Sequence, residues 1–258
     1  MRHRVRAGLL AFGTAIMLTF GWTASPALAG LSTGATPERD VVAYQVRPDG
    51  TGQIDRWIPA AGVSSQQLYS SLKAQGVAGL VDPASRSQID EVLCTINGAW
   101  ALDQRCGTQR FHWAGTHPRV HIMDHTGPGW PVHTKADKWN TSPAIDTIYH
   151  WYSQYNCTSN CVWVSDGNYG PTWVAHTQHY TNGGLVLTGA VVDFNDYCAS
   201  GYPCGNARWM AETTCHELGH VLGLDHNTFQ SSCVYYVHTS SRSDQPGAGD
   251  YSMLDSIY

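Results

Sequence analysis

The stretch TTCHELGHVLGLDHNTFQSSCVYY, Thr213 to Tyr236, decides how the chain is read. His216 and His220 stand four residues apart, so on an α-helix their side chains leave the same face one turn apart, close enough to share one ion. Neutral imidazoles at that spacing suit zinc, which at catalytic sites takes three protein ligands and keeps a fourth position for water. Glu217 follows the first histidine, rotated by roughly 100° around the helix, where it can reach that water without binding the metal. Gly223 stands where the helix should end, and a glycine there can adopt a left-handed conformation that reverses the chain. The reversal would bring His226 back as the third ligand. Two histidines alone arise by accident on amphipathic helices, but HExxHxxGxxH, here His216, Glu217, His220, Gly223 and His226, is specific because each position has its own geometric task.

Outward from this stretch, ARWMAETTCHELGHVLG reads as the helix body with Asn206 as its cap. GGLVLTGAVVDFND, from Gly183 to Asp196, is an apolar run typical of a buried strand. RVHIMDHTG, IDTIYHWY and CVWVSDG read as further strands, and WPVHTKADKWNTSP places Val132, Ala136 and Trp139 on one helix face. Nearer the start, VVAYQVRPDGTGQIDRWIP suggests two short strands around a turn, SSQQLYSSLKAQG a short helix ending at Gly76, and DPASRSQIDEVLCTINGAW a second helical pattern. Strands and helices in this order indicate an α/β or α+β domain. Residues 30 to 107 are expected to be a propeptide or an amino-terminal part of the same fold, and 108 to 258 the catalytic domain.

The first 29 residues have the arginine-rich start, apolar run and Ala27-Leu28-Ala29 cleavage site of a secretory signal peptide. No later segment is apolar enough to span a bilayer. The net charge of −5 leaves no footprint for nucleic acid or an anionic membrane surface. Eight cysteines, all beyond the leader, read as disulfides of an exported chain, and proximity suggests Cys94 with Cys106, Cys157 with Cys161, Cys198 with Cys204 and Cys215 with Cys233. The expected product is a secreted, extracellular monomer. Its 10 Trp and 13 Tyr keep open an alternative, a secreted aromatic-rich binding module.

HELGHVLGLDH resembles the zinc site of the metzincin metallopeptidases, and its matrixin branch in particular, as found in small secreted bacterial enzymes. The resemblance covers about Arg110 to the end and is specific in the zinc helix and the loop after it. It implies an α+β fold with a twisted five-stranded sheet, an active-site helix and a short carboxy-terminal part. It further implies His216, His220 and His226 as zinc ligands, Glu217 as general base, and a protein or peptide substrate paired with an edge strand within Leu185 to Asn195. Metzincins place a methionine turn beneath the metal; here that position is Val234, in SSCVYY, while Met253 falls in a short final helix. Cys233-Val234-Tyr235 is therefore expected to form the turn with valine as its floor. Tyr236, where some metzincins have a metal-facing tyrosine, is read as a packed side chain. Gln104-Arg105-Cys106-Gly107 resembles the core of the matrixin cysteine switch but lacks its flanking prolines and aspartate, so Cys106 is assigned to a disulfide. A structural Ca2+ or second Zn2+ is left open at His121, His125, His176 and His179. The remaining alternative is a zinc-binding pseudoenzyme.

Overall fold

A computed structural model describes residues 40–85, 95–96, 99–101, 111–199, 205–236 and 242–258. The expected leader, the expected Cys94–Cys106 pair, Cys204 and the expected boundary at residue 107 lie outside the described residues. The strands are β1 (Val41–Val46), β2 (Gly52–Pro59), β3 (Thr95–Ile96), β4 (Ala99–Ala101), β5 (His112–Trp113), β6 (Arg119–Asp124), β7 (Asp146–Trp151), β8 (Cys161–Gly167), β9 (Trp173–Thr181), β10 (Val186–Asn195) and β11 (Leu224–Asp225). The helices are α1 (Ser65–Ala74), α2 (Val132–Trp139), α3 (Asp196–Ala199), α4 (Ala207–Val221) and α5 (Ala248–Ile257). The class is α+β, with a large mixed sheet.

That sheet has eight strands rather than five. Its order is β1-β2-β9-β10-β8-β6-β7, with β5 pairing alongside β10, and a second sheet runs β11-β4-β3. The steps β10-β8, β8-β6 and β6-β7 are parallel, whereas β9 runs antiparallel to β10 and is followed by the antiparallel β2 and β1. The expectation of an edge strand within Leu185 to Asn195 is corrected here: β10 is interior, paired on both sides. Its apolar run is the reason, since a strand flanked by neighbours and covered by a helix shows water neither its backbone nor Leu187, Ala190, Val192 and Phe194. Residues 95–96 and 99–101, read as part of a helical pattern, are strands.

The core lies between the sheet and two helices. Val132, Ala136 and Trp139 of α2 and Cys215, Leu218 and Val221 of α4 are buried against Val120, Ile122, Val162, Val164, Val192 and Phe194. The expected face of α2 is therefore the one that packs. Phe194 stacks on Trp130 at 4.2 Å between ring centroids, and Trp139 Nε1 donates to the Cys215 carbonyl at 3.0 Å, joining α2 to α4. A separate apolar cluster joins Val41, Ala43 and Trp57 of the β1–β2 hairpin to Leu68 and Leu72 of α1 and Trp173 of β9. Disulfides close Cys157 to Cys161 and Cys215 to Cys233, as proximity suggested. Among the described residues no helix is long and apolar enough to cross a membrane.

Strand β9 was not legible beforehand. Thr177, His179 and Thr181 alternate inward and are buried, while His176, Gln178 and Tyr180 point the other way. With polar residues on both faces, the period of two carries no hydrophobic signal. On the outer face, His176 bridges two strands, with Nε2 3.0 Å from Asp55 Oδ1 and Nδ1 3.4 Å from Asp193 Oδ2, and its ring stacks on Trp57 at 4.6 Å. Burial alone would lower the His176 pKa, but the bonds to Asp193 and Asp55 outweigh it and raise it above the ordinary value. A raised histidine contributes stability that is complete below its unfolded value, near 6.5, and is lost as pH rises through the folded value. Compared with His176→Gln at fixed zinc concentration, the wild-type chain should show its larger stability advantage at pH 5.5 and a smaller one at pH 8.5 in urea unfolding. An advantage that grows with pH would refute the bridge.

Candidate metal centre

Helix α4 begins as its sequence requires, with the Asn206 side chain accepting from the Trp209 backbone N–H at 2.9 Å. From Glu212 to Val221 every residue is buried, so the histidine-bearing turns lie inside the protein. The helix stops at Leu222 and Gly223 takes φ +97°, the left-handed conformation expected of it. A Cβ there would also meet the Phe111 carbonyl oxygen at 2.7 Å, so glycine is required twice over. The chain turns back through β11 and delivers His226 to the helix.

The three predicted ligands meet. His216 Nε2 lies 3.0 Å from His220 Nε2 and 3.1 Å from His226 Nε2. The outer nitrogens of two rings are held: His216 Nδ1 donates to the Cys233 carbonyl and His220 Nδ1 to the Leu224 carbonyl, each at 2.8 Å. With the ring protons on Nδ1, the Nε2 lone pairs face one another, an arrangement suited to a shared cation. Burial, with the Arg56 charge adding to it, pulls the His220 pKa down to about 3, so that ring stays neutral as a ligand must.

A fourth donor was not foreseen. Asp40, immediately before β1, sets Oδ2 3.2 Å from His226 Nε2, and one ligand atom from each of Asp40, His216, His220 and His226 lies within 4.8 Å of the others. Ligands about 2.0–2.1 Å from a tetrahedral ion stand about 3.3 Å apart, close to these separations, so the set fits a small divalent cation. Arg56 of β2 completes the surroundings, with Nη1 2.8 Å from Asp225 Oδ1 and 3.6 Å from Asp40 Oδ2, while Asp225 Oδ1 also accepts the His226 backbone N–H at 2.8 Å. Burial would raise the Asp40 carboxyl, but His226 and Arg56 outweigh it and hold it well below the usual carboxylate range.

Glu217 is buried beside the histidines. Its Oε2 accepts from the Thr177 hydroxyl of β9, and Oε1 has no hydrogen-bond partner among the described residues. Burial pushes its pKa up to about 7, against the Thr177 bond, which lowers it. A buried carboxyl poised near neutrality with one oxygen free has the properties of a proton carrier.

Beneath the site, Cys233, Val234 and Tyr235 form the expected turn. Val234 is buried, its backbone carbonyl accepts from Asn227 N–H at 2.9 Å, and the Cys215–Cys233 disulfide ties the turn to α4. The Tyr236 ring packs edge-on against Tyr235 at 4.9 Å. Met253 is buried in α5, as expected of the final helix. Arg242, which nothing in the sequence singled out, is buried with Nη1 3.1 Å from His216 Nδ1. The Cys233 carbonyl already takes the Nδ1 proton, so this guanidinium acts on the ring as a nearby charge, and burial lowers its pKa to about 10. The four histidines considered for a second ion are not brought together: His121 bonds His150 at 2.9 Å, His125 stacks on Tyr152, His176 bridges two aspartates and His179 bonds the His220 carbonyl at 3.0 Å. Among the described residues, one group of three or more potential ligands gathers.

The chain matches no family model and no curated protein. The donor geometry therefore carries the functional argument.

Gly219 shows how closely the turn supports the helix, because a Cβ there would lie 2.5 Å from Val234 Cγ1 and 2.8 Å from Trp139 Cζ2. In an open helix Gly→Ala gains about 1 kcal/mol. Here Gly219→Ala should instead cost about 1–3 kcal/mol by overpacking. Adding Val234→Ala should recover part of that loss in urea unfolding; purely additive losses would show that the two sites do not touch.

Proposed function

We propose that this chain is a secreted zinc-dependent endopeptidase of the metzincin type, close to the matrixin branch. The observation that carries the reading is Glu217: a buried carboxyl with an unbonded oxygen beside three converging imidazoles. A purely structural metal site has no use for such a group. The three histidines and Asp40 would hold the ion. When bound, zinc supplies Lewis-acid polarisation of a peptide carbonyl and lowers the pKa of water toward neutrality.

The residues around it have separable tasks. Glu217 takes the proton of the attacking water and returns it to the leaving amine nitrogen as the carbon–nitrogen bond breaks. Thr177 holds Glu217 through Oε2 and leaves Oε1 for that exchange. The Cys233 and Leu224 carbonyls keep the two imidazoles in the ligating tautomer. An extended peptide would pair with an antiparallel strand beside α4, which favours proteins or peptides over nucleic acid, membrane or sugar. The two disulfides agree with an oxidising, extracellular compartment.

One observation favours the alternative of a metal-holding protein without catalysis. Asp40 supplies a fourth protein donor, and structural zinc sites are closed in this way. The assay is therefore made on the Asp40→Ala chain, with casein as substrate, with and without a chelator, and with zinc content measured in parallel. Cleavage abolished by the chelator and restored by zinc supports the peptidase; bound zinc without cleavage selects the alternative; neither selects a binding module. In the same background Glu217→Gln should retain zinc and lose about 10²–10⁴-fold in kcat/KM, the usual worth of a general base. Undiminished turnover in that variant would remove Glu217 from the mechanism. His220→Ala should lose both zinc and activity, and stoichiometric zinc there would count against the ligand set.

A further inference from the structure

We propose that the connection between β7 and β8, with the outer sheet face beside it, binds a neutral polysaccharide. This surface lies apart from the metal centre, because β7 ends the sheet at the far side of the order β9-β10-β8-β6-β7. Binding there is independent of the peptidase reading.

Side chains alternate along a strand, so residues between the core positions of β6, β7 and β8 point away from α2 and α4. Val120, Ile122, Val162 and Val164 take the core side, and His121, His150 and Trp163 take the other. Met123 is paired in register with both His150 and Trp163. Those two residues therefore stand two strand spacings apart, roughly 10 Å. The Tyr155 ring lies over His150 with 4.0 Å between centroids and 9° between planes, and over His121 at 4.8 Å and 17°. The two imidazoles are bonded to each other at 2.9 Å, so Tyr155 rests on a fixed base. Tyr152 stacks on His125 at 4.6 Å, and the Cys157–Cys161 disulfide closes the loop that carries these rings. Trp163 remains 41 % exposed and Tyr155 38 %, so each still offers ring surface to a ligand.

The chemistry of the surface selects the partner. An aromatic face carries negative charge density, and the C–H face of a pyranose ring is its slightly positive complement. The sugar hydroxyls need amide and hydroxyl groups around the stack. Ser153, Gln154, Asn156 and Thr158 are exposed beside the rings and make no side-chain hydrogen bond among the described residues. From Thr147 to Val164 the chain has no Asp, Glu, Lys or Arg, so the loop offers nothing to pair with a sulfate, phosphate or carboxylate. Arg119 is the cation whose charge reaches the His121 ring, and one guanidinium does not make a track for a polyanion. A protein partner would call for a continuous apolar centre, whereas these rings are interrupted by amides and hydroxyls. Rings already held by their imidazoles lose little freedom on binding. Two such rings set apart on a rigid sheet suit a repeating polymer better than one small molecule.

The test measures retention of the full chain by affinity electrophoresis in xylan and mixed-linkage β-glucan and by depletion onto microcrystalline cellulose and chitin, with dextran sulfate as the charged control. The wild-type chain should be retained by at least one of the neutral polymers, and raised salt should not release it. Tyr155→Ala and Trp163→Ala should each weaken retention about 10-fold, the upper end for one aromatic pair, while Tyr155→Phe, which keeps the ring, should match the wild type. Gln154→Ala combined with Asn156→Ala alters exposed side chains alone and keeps the proposal testable should ring removal disturb the loop. That pair should weaken retention about 10-fold through two lost hydrogen bonds, and unchanged retention in it overturns the proposal. Retention by none of the neutral polymers, or by dextran sulfate alone, overturns it as well. Self-association that Trp163→Ala removes, without polysaccharide retention, assigns the face to a second copy of the chain and also overturns it. Casein cleavage and zinc content lie outside this readout, so failure here leaves the peptidase reading untouched, and failure of that reading leaves the glycan surface standing.

Discussion

Three converging imidazoles, with His216 Nε2 3.0 Å from His220 Nε2 and 3.1 Å from His226 Nε2, are the constraint on which the rest of this structure depends. Their lone pairs repel unless a cation lies between them, and the rings of His216 and His220 cannot swing away because they are fixed from behind by the Cys233 and Leu224 carbonyls. Each of those carbonyls is itself positioned by something larger. Leu224 follows the left-handed turn at Gly223, and Cys233 is bonded covalently to α4 one residue before His216. The valine next to it packs so closely on Gly219 that no side chain fits between them. Secondary structure, a disulfide and core packing therefore converge on the orientation of two rings.

Around this centre lies a chain of buried charges that joins parts of the protein far apart in sequence. Asp225 accepts from both Arg56 and the backbone of His226, and Arg56 also approaches Asp40, which reaches back to the His226 ring. Buried charges are costly unless paired, and breaking one such pair costs about 3–5 kcal/mol because it strands the partner. The amino-terminal hairpin is thus coupled electrostatically to the metal centre, and a bound cation would strengthen its hold on Asp40. Backbone pairing along β9 and the contacts of Asp40 with His226 and Arg56 then act as two linked attachments of one segment, each raising the effective concentration of the other.

Much of the architecture was legible where local rules apply. The apolar face of α2, the body of α4 with its Asn206 cap, the β1–β2 hairpin and the continuous hydrophobic run of β10 all follow from periodicity, capping and turn chemistry. Other features failed for identifiable reasons. Beyond Val174 and Ala175, strand β9 buries Thr177, His179 and Thr181 rather than aliphatic residues, because this part of its inner face serves Glu217 and the His220 carbonyl, so the alternation there carries no hydrophobic pattern. The run Leu185 to Asn195 reads as a strand, and its unbroken apolar character fits a place inside the sheet rather than the edge position that the resemblance implied. Asp40 is a single acidic residue before an apolar strand, indistinguishable in sequence from a solvated charge.

What the sequence determined by itself was the local geometry of the metal centre: two histidines one helical turn apart, a carboxylate beside them, and a glycine that reverses the chain toward a third histidine. These are short-range consequences of helical periodicity and left-handed glycine, and they need no other part of the protein. Only the tertiary structure decided what faces that centre. Asp40 and Arg56 lie more than 150 residues from His216, and Thr177 is 40 from Glu217. Such contacts arise from the strand order β1-β2-β9-β10, which is selected by the joint burial of two apolar clusters and the pairing of buried charges rather than by any pattern along the chain.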